Sequence, residues 1–159
     1  MTQLHIDFKP SPLYEVSEVK VSYTPMFSQA ERPKIMTAND AVNMFRKAWD
    51  SDRLEYQEDF HIMYLNKGNR VLAMYHASKG GTAGTVVDVK PALVTALKIN
   101  AHSMILAHNH PSGTLTPSEA DKTITKRFIE AAKLLSMNVL DHVILTRDSY
   151  YSFADDGMM

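Results

Sequence analysis

Apolar residues recur along this chain in two different periods, and the switches between them outline the fold. After Thr37, the residues Ala41, Met44, Phe45, Ala48 and Trp49 fall at helical spacing, and Thr37 with Asp40 three places on forms a capping-box pattern ahead of them. From Phe60 to Leu65 and from Val71 to Tyr75 the apolar residues crowd into two short runs around Asn66-Lys67-Gly68-Asn69, which predicts a β-hairpin. Gly80-Gly81 and Gly84 break the chain before a short extended piece, Thr85 to Val87. A second helix is expected to open near Pro91, whose fixed φ suits a first turn, with Leu93, Ala96, Leu97 and Ala101 on one side. Met104 to Ala107 is too short an apolar run for a helix and reads as a buried strand that leads straight into His108.

The third helix is expected to start with Thr116 as N-cap, Pro117 as first helical residue and Glu119 three after the cap. Its apolar stripe runs Ile124, Phe128, Ala131, Ala132, Leu135, and carried back by helical steps it lands on Asp121 and then Ser118. Two polar side chains therefore point along the core-facing side. Val139 to Leu145 and Tyr150 to Phe153 read as two last strands, with Arg147-Asp148-Ser149 as their turn. At the start, Lys9-Pro10-Ser11-Pro12 and Tyr23-Thr24-Pro25 interrupt a strand-like run from Tyr14 to Tyr23. Residues 1–36 thus read as an arm with an edge strand, and 37–159 as one domain. Hairpins and helices in mixed order around one sheet predict an α/β (α+β) fold of three layers rather than a regular doubly wound one.

Composition narrows the function classes. A chain of 159 residues, 45% of them hydrophobic, is one ordinary domain able to bury roughly 70% of its unfolded surface. Cysteine is absent, so a disulfide framework and a thiolate zinc site are both excluded, and any metal must be held by His, Asp or Glu. The formal charge of −1 supplies no global basic field for a protein that grips nucleic acid through phosphates. No apolar run approaches the roughly 20 residues that span a bilayer, and Met1 to Pro12 lacks the apolar core of a secretory signal. The expectation is a cytoplasmic protein away from membranes, which the absence of cysteine fits.

One segment concentrates the chemistry. His108 and His110 sit two apart at the exit of an expected strand, and on extended backbone an i, i+2 pair directs both imidazoles to one side. A loop then leads to Asp121, which the helix stripe aims inward. Two neutral imidazoles and a carboxylate suit Zn²⁺, and three protein ligands leave a fourth position for water, as in catalytic sites. Alone, an HxH pair on a loop is commonly surface decoration, and an Asp in a first helical turn commonly serves the helix dipole. Their convergence in a strand–loop–helix setting favours the metal. His108-Asn109-His110 is unrelated to the HNH nucleases, whose name refers to residues far apart in sequence. Of the other histidines, His142 lies in an apolar strand beside Asp141 and reads as a packed or hydrogen-bonded residue rather than a ligand. His61, His76 and His102 carry no spacing signal, and His5 lies in the arm. Gly80-Gly81 reads as a turn and not a phosphate cradle, since neither GxGxxG nor a Walker pattern is present.

The spacing His108-x-His110, seven residues, Ser118, two residues, Asp121 resembles the JAMM signature of the MPN/JAB metallopeptidase superfamily. His108-Asn109-His110-Pro111-Ser112-Gly113 followed by Pro117-Ser118-x-x-Asp121 is similar to its bacterial RadC branch, with a likeness running from about Glu58 through Asp141-His142 to Tyr151-Ser152-Phe153. The resemblance implies an MPN/JAB-like domain of cytidine-deaminase-like layering, with a mixed sheet and about three helices. It implies His108, His110 and Asp121 as zinc ligands, Ser118 as the hydroxyl lent to the reacting oxygen, and a glutamate before an early strand as general base. Glu58-Asp59-Phe60 matches the E-x-F setting of that glutamate; Glu55 is the competing candidate, without the following Phe at the right offset. Two departures are evident. The residues ahead of Glu58 are expected to be too few to hold the helix-hairpin-helix region of longer RadC proteins alongside the Thr37 helix, and Lys90-Pro91-Ala92 keeps only the proline of the family's Pro-Arg-Glu triplet.

The expected activity is hydrolysis of a peptide or isopeptide bond in a peptide or protein substrate. One rival is a protein of DNA repair or mobile-element maintenance in weak or indirect association with DNA, through a stripe of Lys122, Lys126, Arg127 and Lys133. Another is a non-catalytic MPN scaffold, which the retention of every ligand disfavours.

Overall fold

A computed structural model describes residues 23–80 and 87–159. The first helix, α1 (Ala38–Ala48), opens at the expected box: Thr37 Oγ1 accepts the Asp40 N–H while the Asp40 carboxylate accepts the Thr37 N–H. Strands β1 (Asp59–Leu65) and β2 (Val71–Lys79) form the expected hairpin, β2 running four residues beyond Tyr75. Then follow α2 (Val89–Lys98), β3 (Ser103–Asn109), α3 (Glu119–Leu134), β4 (Asn138–Leu145) and β5 (Tyr150–Ser152). The expected edge strand at Tyr14 and the extended piece at Thr85 lie outside the described residues, save for their ends at Tyr23 and Val87.

The strands form one mixed sheet in the order β2-β1-β3-β4-β5. Pairing is antiparallel except between β3 and β4, the two strands that α3 connects. Period-two alternation then sorts the side chains onto two faces. Phe60, Ile62, Tyr64, Met104 and Leu106 pack with Ala92 and Ala96 of α2 and with Phe128 and Ala132 of α3. Met63, Leu65, Ile105, Ala107, Val143 and Leu145 pack against Ala41, Val42 and Phe45 of α1. The protein is thus an α/β domain with helices on both faces of the sheet. His108, in phase with Met104 and Leu106, falls on the α2/α3 face, and Asn109 on the other.

Three expectations are corrected. The helix α2 starts two residues before Pro91, with Asp88 as N-cap accepting the Lys90 N–H. Proline is tolerated there because the first-turn N–H groups have no helical partner to lose. The buried positions of the helix are Ala92 and Ala96, while Leu97, expected on the same side, is 52% exposed. The N-cap of α3 is Ser118, not Thr116. Two overlapping boxes compete there, and the one that closes uses Asp121: Ser118 Oγ accepts the Asp121 N–H at 3.1 Å and Asp121 Oδ2 accepts the Ser118 N–H at 2.7 Å. Finally, the buried seam of α3 is Asp121, Thr125, Phe128 and Ala132, leaving Leu135 at the exposed end of the expected stripe.

Candidate metal centre

Strand β3 carries His108 to the end of the sheet, where His110 follows on the same side, and the cap of α3 lowers Asp121 onto both. His108 Nε2 stands 3.0 Å from His110 Nε2 and 3.1 Å from Asp121 Oδ1, and His110 Nε2 lies 3.5 Å from Asp121 Oδ2. Glu58, just before β1, reaches the same point because β1 and β3 pair with Phe60 opposite His108. Its Oε1 is 4.0 Å from His108 Nε2 and 3.9 Å from His110 Nε2. Glu58, His108, His110 and Asp121 thus form one potential metal-binding group. Glu55 stands apart, its carboxylate paired on the surface with Arg147 at 2.8 Å.

These polar atoms rest on an aromatic floor. Phe60 stacks between His108 and Phe128, with 6.0 Å between ring centroids on either side. His142 lies alongside, and Phe153 stacks on it at 4.9 Å. Asp141 holds that last contact in place: its carboxylate accepts the His142 N–H, the Ala154 N–H and the Ser152 hydroxyl, tying the C-terminal turn to β4. The Asp141-His142 and Tyr151-Ser152-Phe153 segments therefore act together. Burial pushes the Asp141 carboxyl up despite those donors.

The Asp121 carboxylate is held ionised. Burial would raise the Asp121 carboxyl, but hydrogen bonds to the His108 and His110 rings and to the Ser118 hydroxyl outweigh it and hold Asp121 far below the usual carboxylate range. Asp121, first, and the Thr114 carbonyl raise His110. The centre opens to solvent through a cleft of about 850 Å³ whose walls include Tyr56, Val87, Pro111, Thr116, Ile124 and Arg127. Of the basic stripe on α3, Lys122 is paired with Glu119 at 2.6 Å and Lys126 lies 3.9 Å from Glu130.

Ser118 lies beside Asp121 and donates its hydroxyl proton to Asp121 Oδ2 at 2.7 Å. Its oxygen is at the same time the α3 cap, so the hydroxyl is needed structurally, against the expectation that Thr116 would serve that end.

Sequence reasoning missed Asn109 and Thr125. Asn109, buried on the α1 face, spends its whole amide on the segment that carries Glu58: it accepts from Asp59 N at 2.7 Å and donates to the Leu54 and Gln57 carbonyls at 2.7 and 2.8 Å. Thr125 lies one turn after Asp121, a spacing that would have placed it in the same seam.

The hairpin register sets His61 opposite His76, and with Asp59 they form a second group of potential ligands. Their geometry argues otherwise. Both Asp59 oxygens accept from Arg53, at 2.8 and 2.9 Å, so a cation already occupies the carboxylate. The two imidazoles stack face to face at 4.2 Å and 12°, which leaves their in-plane lone pairs side by side rather than convergent. Burial, and then the His76 ring, lower His61 to about 4 against the pull of Asp59.

A family model described as RadC-like JAB domain matches residues 35–158. The chain belongs to this family. A UPF0758 protein of Flavobacterium johnsoniae is 48% identical to this RadC-like chain over 101 residues, 64% of this chain and 44% of that one. The UPF0758 protein YfjY of Escherichia coli is 43% identical over 103 residues, covering 65% of this chain and 64% of its own length. A UPF0758 protein of Alkaliphilus metalliredigens is 36% identical over 132 residues, 83% of this chain and 56% of its own. This RadC-like chain therefore spans about half the length of the relatives it matches. Among the described residues no helix is long and apolar enough to cross a membrane.

Proposed function

We propose that this domain is a zinc-dependent hydrolase of JAMM type that cleaves a peptide or isopeptide bond in a peptide or protein substrate. The observation that carries the reading is the convergence at the floor of an open cleft of His108 Nε2 and His110 Nε2, 3.0 Å apart, with the Asp121 carboxylate, whose Oδ1 is 3.1 Å from the first and Oδ2 3.5 Å from the second, and with Glu58 beside them. Two imidazoles and one carboxylate fit zinc, and a site open on the cleft side is of the catalytic rather than the closed structural kind. His108, His110 and Asp121 would hold the ion, which when bound supplies Lewis-acid polarisation of a carbonyl and acidifies water to a pKa of about 7.

The chain's own groups divide the remaining work. Glu58, 3.9–4.0 Å from the two ligand nitrogens, stands next to the ligand set rather than in it. From there its carboxylate takes a proton from the attacking water and returns it to the leaving nitrogen. Ser118 turns its hydroxyl from Asp121 toward the carbonyl oxygen and donates to it as negative charge develops. The aromatic floor of Phe60 and Phe128 keeps the local dielectric low, which strengthens each of these interactions. Association with DNA has less support, since Lys122 and Lys126 spend their charge on neighbouring glutamates. Metal analysis of the purified protein with an assay on isopeptide and peptide substrates tests the reading. One zinc per chain and zinc-dependent cleavage are expected; a protein without zinc affinity overturns it.

A further inference from the structure

Behind His108 runs a chain of short hydrogen bonds whose direction is set at one end. Thr125 Oγ1 lies 2.5 Å from the Asp121 carbonyl oxygen. A carbonyl cannot donate, so the single hydroxyl proton of Thr125 is committed to it. The same Oγ1 lies 2.6 Å from His142 Nδ1, and having no second proton it must accept there, which puts a proton on His142 Nδ1. The His142 side chain is fully enclosed, its two ring nitrogens meeting Thr125 Oγ1 and His108 Nδ1, and so lies there as the neutral ring. A neutral ring protonated at Nδ1 has a bare Nε2, and this atom lies 2.8 Å from His108 Nδ1. His108 must therefore donate from Nδ1, so the Nε2 that faces His110 and Asp121 is the nitrogen left to take the ligand position.

We propose that Thr125 and His142 are positioning residues that impose the ligating tautomer on His108, through a hydrogen-bond chain anchored on the backbone carbonyl of Asp121. The purpose of the chain rests on the metal reading above; its direction does not. His110 is set separately, its Nδ1 donating to the Thr114 carbonyl at 2.6 Å. Each imidazole thus keeps its Nδ1 proton for an independent reason, so Nε2, which faces Asp121, is the nitrogen of each ring that can release its proton to a metal. The chain also links three elements: α3 supplies Asp121 and Thr125, β4 supplies His142, and β3 supplies His108. Partners of this kind, one bond removed from a metal, typically control 10- to 100-fold in affinity.

Thr125→Val keeps the shape and removes the acceptor. His142 is then free to carry its proton on Nε2, where it opposes the His108 Nδ1 proton and drives His108 toward the tautomer whose Nε2 is blocked. The test pairs ¹⁵N NMR of the histidine rings, in metal-free and zinc-loaded protein, with competitive zinc titration against a chelator. In wild type the His142 proton is expected on Nδ1 with and without zinc. Thr125→Val should redistribute it and weaken zinc binding 10- to 100-fold, while Thr125→Ser restores both within about threefold. A wild-type His142 protonated at Nε2 overturns the inference, as does a Thr125→Val variant with wild-type tautomers and wild-type zinc affinity. Wild type that shows the expected His142 tautomer but takes up no zinc supports the chain's direction and overturns the metal reading instead.

Discussion

Asn109 Oδ1 accepts the backbone N–H of Asp59 at 2.7 Å, so the residue between the two histidines holds the residue that follows Glu58. The alternation of β3 sends His108 and His110 to one face and Asn109 to the other, where its amide also binds two carbonyls of the 54–59 segment. One tripeptide therefore supplies two candidate ligands and the clamp for the candidate base.

Asn109→Ala should separate these roles. It leaves the Asp59 N–H and the Leu54 and Gln57 carbonyls without this partner, at a cost of about 2–4 kcal/mol in stability. Glu58 loses its positioning, and hydrolysis should fall roughly 10- to 100-fold. Zinc content at saturation should stay at one per chain, as read by metal analysis beside melting and rate measurements. Loss of zinc with the rate per bound zinc intact would contradict this division.

Glu58→Gln should retain zinc, since His108, His110 and Asp121 remain, yet lose about 10²–10⁴ in rate because an amide cannot accept the water's proton. Glu55→Gln removes only an exposed ion pair with Arg147 and should change the rate less than twofold. Steady-state kinetics on zinc-loaded variants decide it.

Ser118 combines a cap with a proposed oxyanion donor, and two substitutions distinguish them. Ser118→Ala should cost about 1 kcal/mol from the lost N-cap, whereas Ser118→Gly, a tolerable cap, should cost only a few tenths. Both should lose about 10- to 1000-fold in kcat if the hydroxyl serves the reacting oxygen. A rate that follows stability across the two variants would mean that Ser118 only holds Asp121 and the helix.

Zinc removal should lower the melting temperature in wild type, because a ligand at 100 times its Kd stabilises by about 2.7 kcal/mol. In His108→Ala and Asp121→Asn a chelator should have almost no further effect. Asp121→Asn keeps an oxygen able to accept the Ser118 N–H, so its loss of zinc would not be an indirect result of a frayed α3. Calorimetry with and without chelator reads this directly.

His61 makes the fold acid-sensitive away from the centre. Its folded value of about 4 lies below the free-chain value near 6.5, so the unfolded state binds the extra proton between those values. The contribution is fully present above pH 6.5 and is lost as pH falls toward 4, by on the order of 3 kcal/mol. The groups facing it are His76 and Asp59, the latter already paired with Arg53. His61→Phe keeps an aromatic ring against Trp49 and should flatten the difference in urea stability between pH 6.5 and 4. A variant with the wild-type slope would assign the effect elsewhere.

By itself the sequence determined the segment from His108 to Asp121. Its geometry is local: period two puts both histidines on one side, helical period aims Asp121 inward, and the box pattern marks a helix start nearby. The pattern pointed to Thr116 as the cap, whereas the box that closes is that of Ser118 and Asp121. Only the fold decided it, because Asp121 serves both the cap and the histidine rings. Glu58 was legible only through resemblance, since it reaches the centre by antiparallel pairing with a strand far along the chain. His142 arrives by the parallel pairing of β3 with β4. A hydrophobic period ranks residues by how apolar they are, so it passed over Thr125, which only its one-turn spacing from Asp121 marked, and gave no signal for Asn109 until the elements packed. Long-range strand register and the matching of buried donors to acceptors are properties of the assembled sheet, and they set the tautomer of His108 and the place of Glu58.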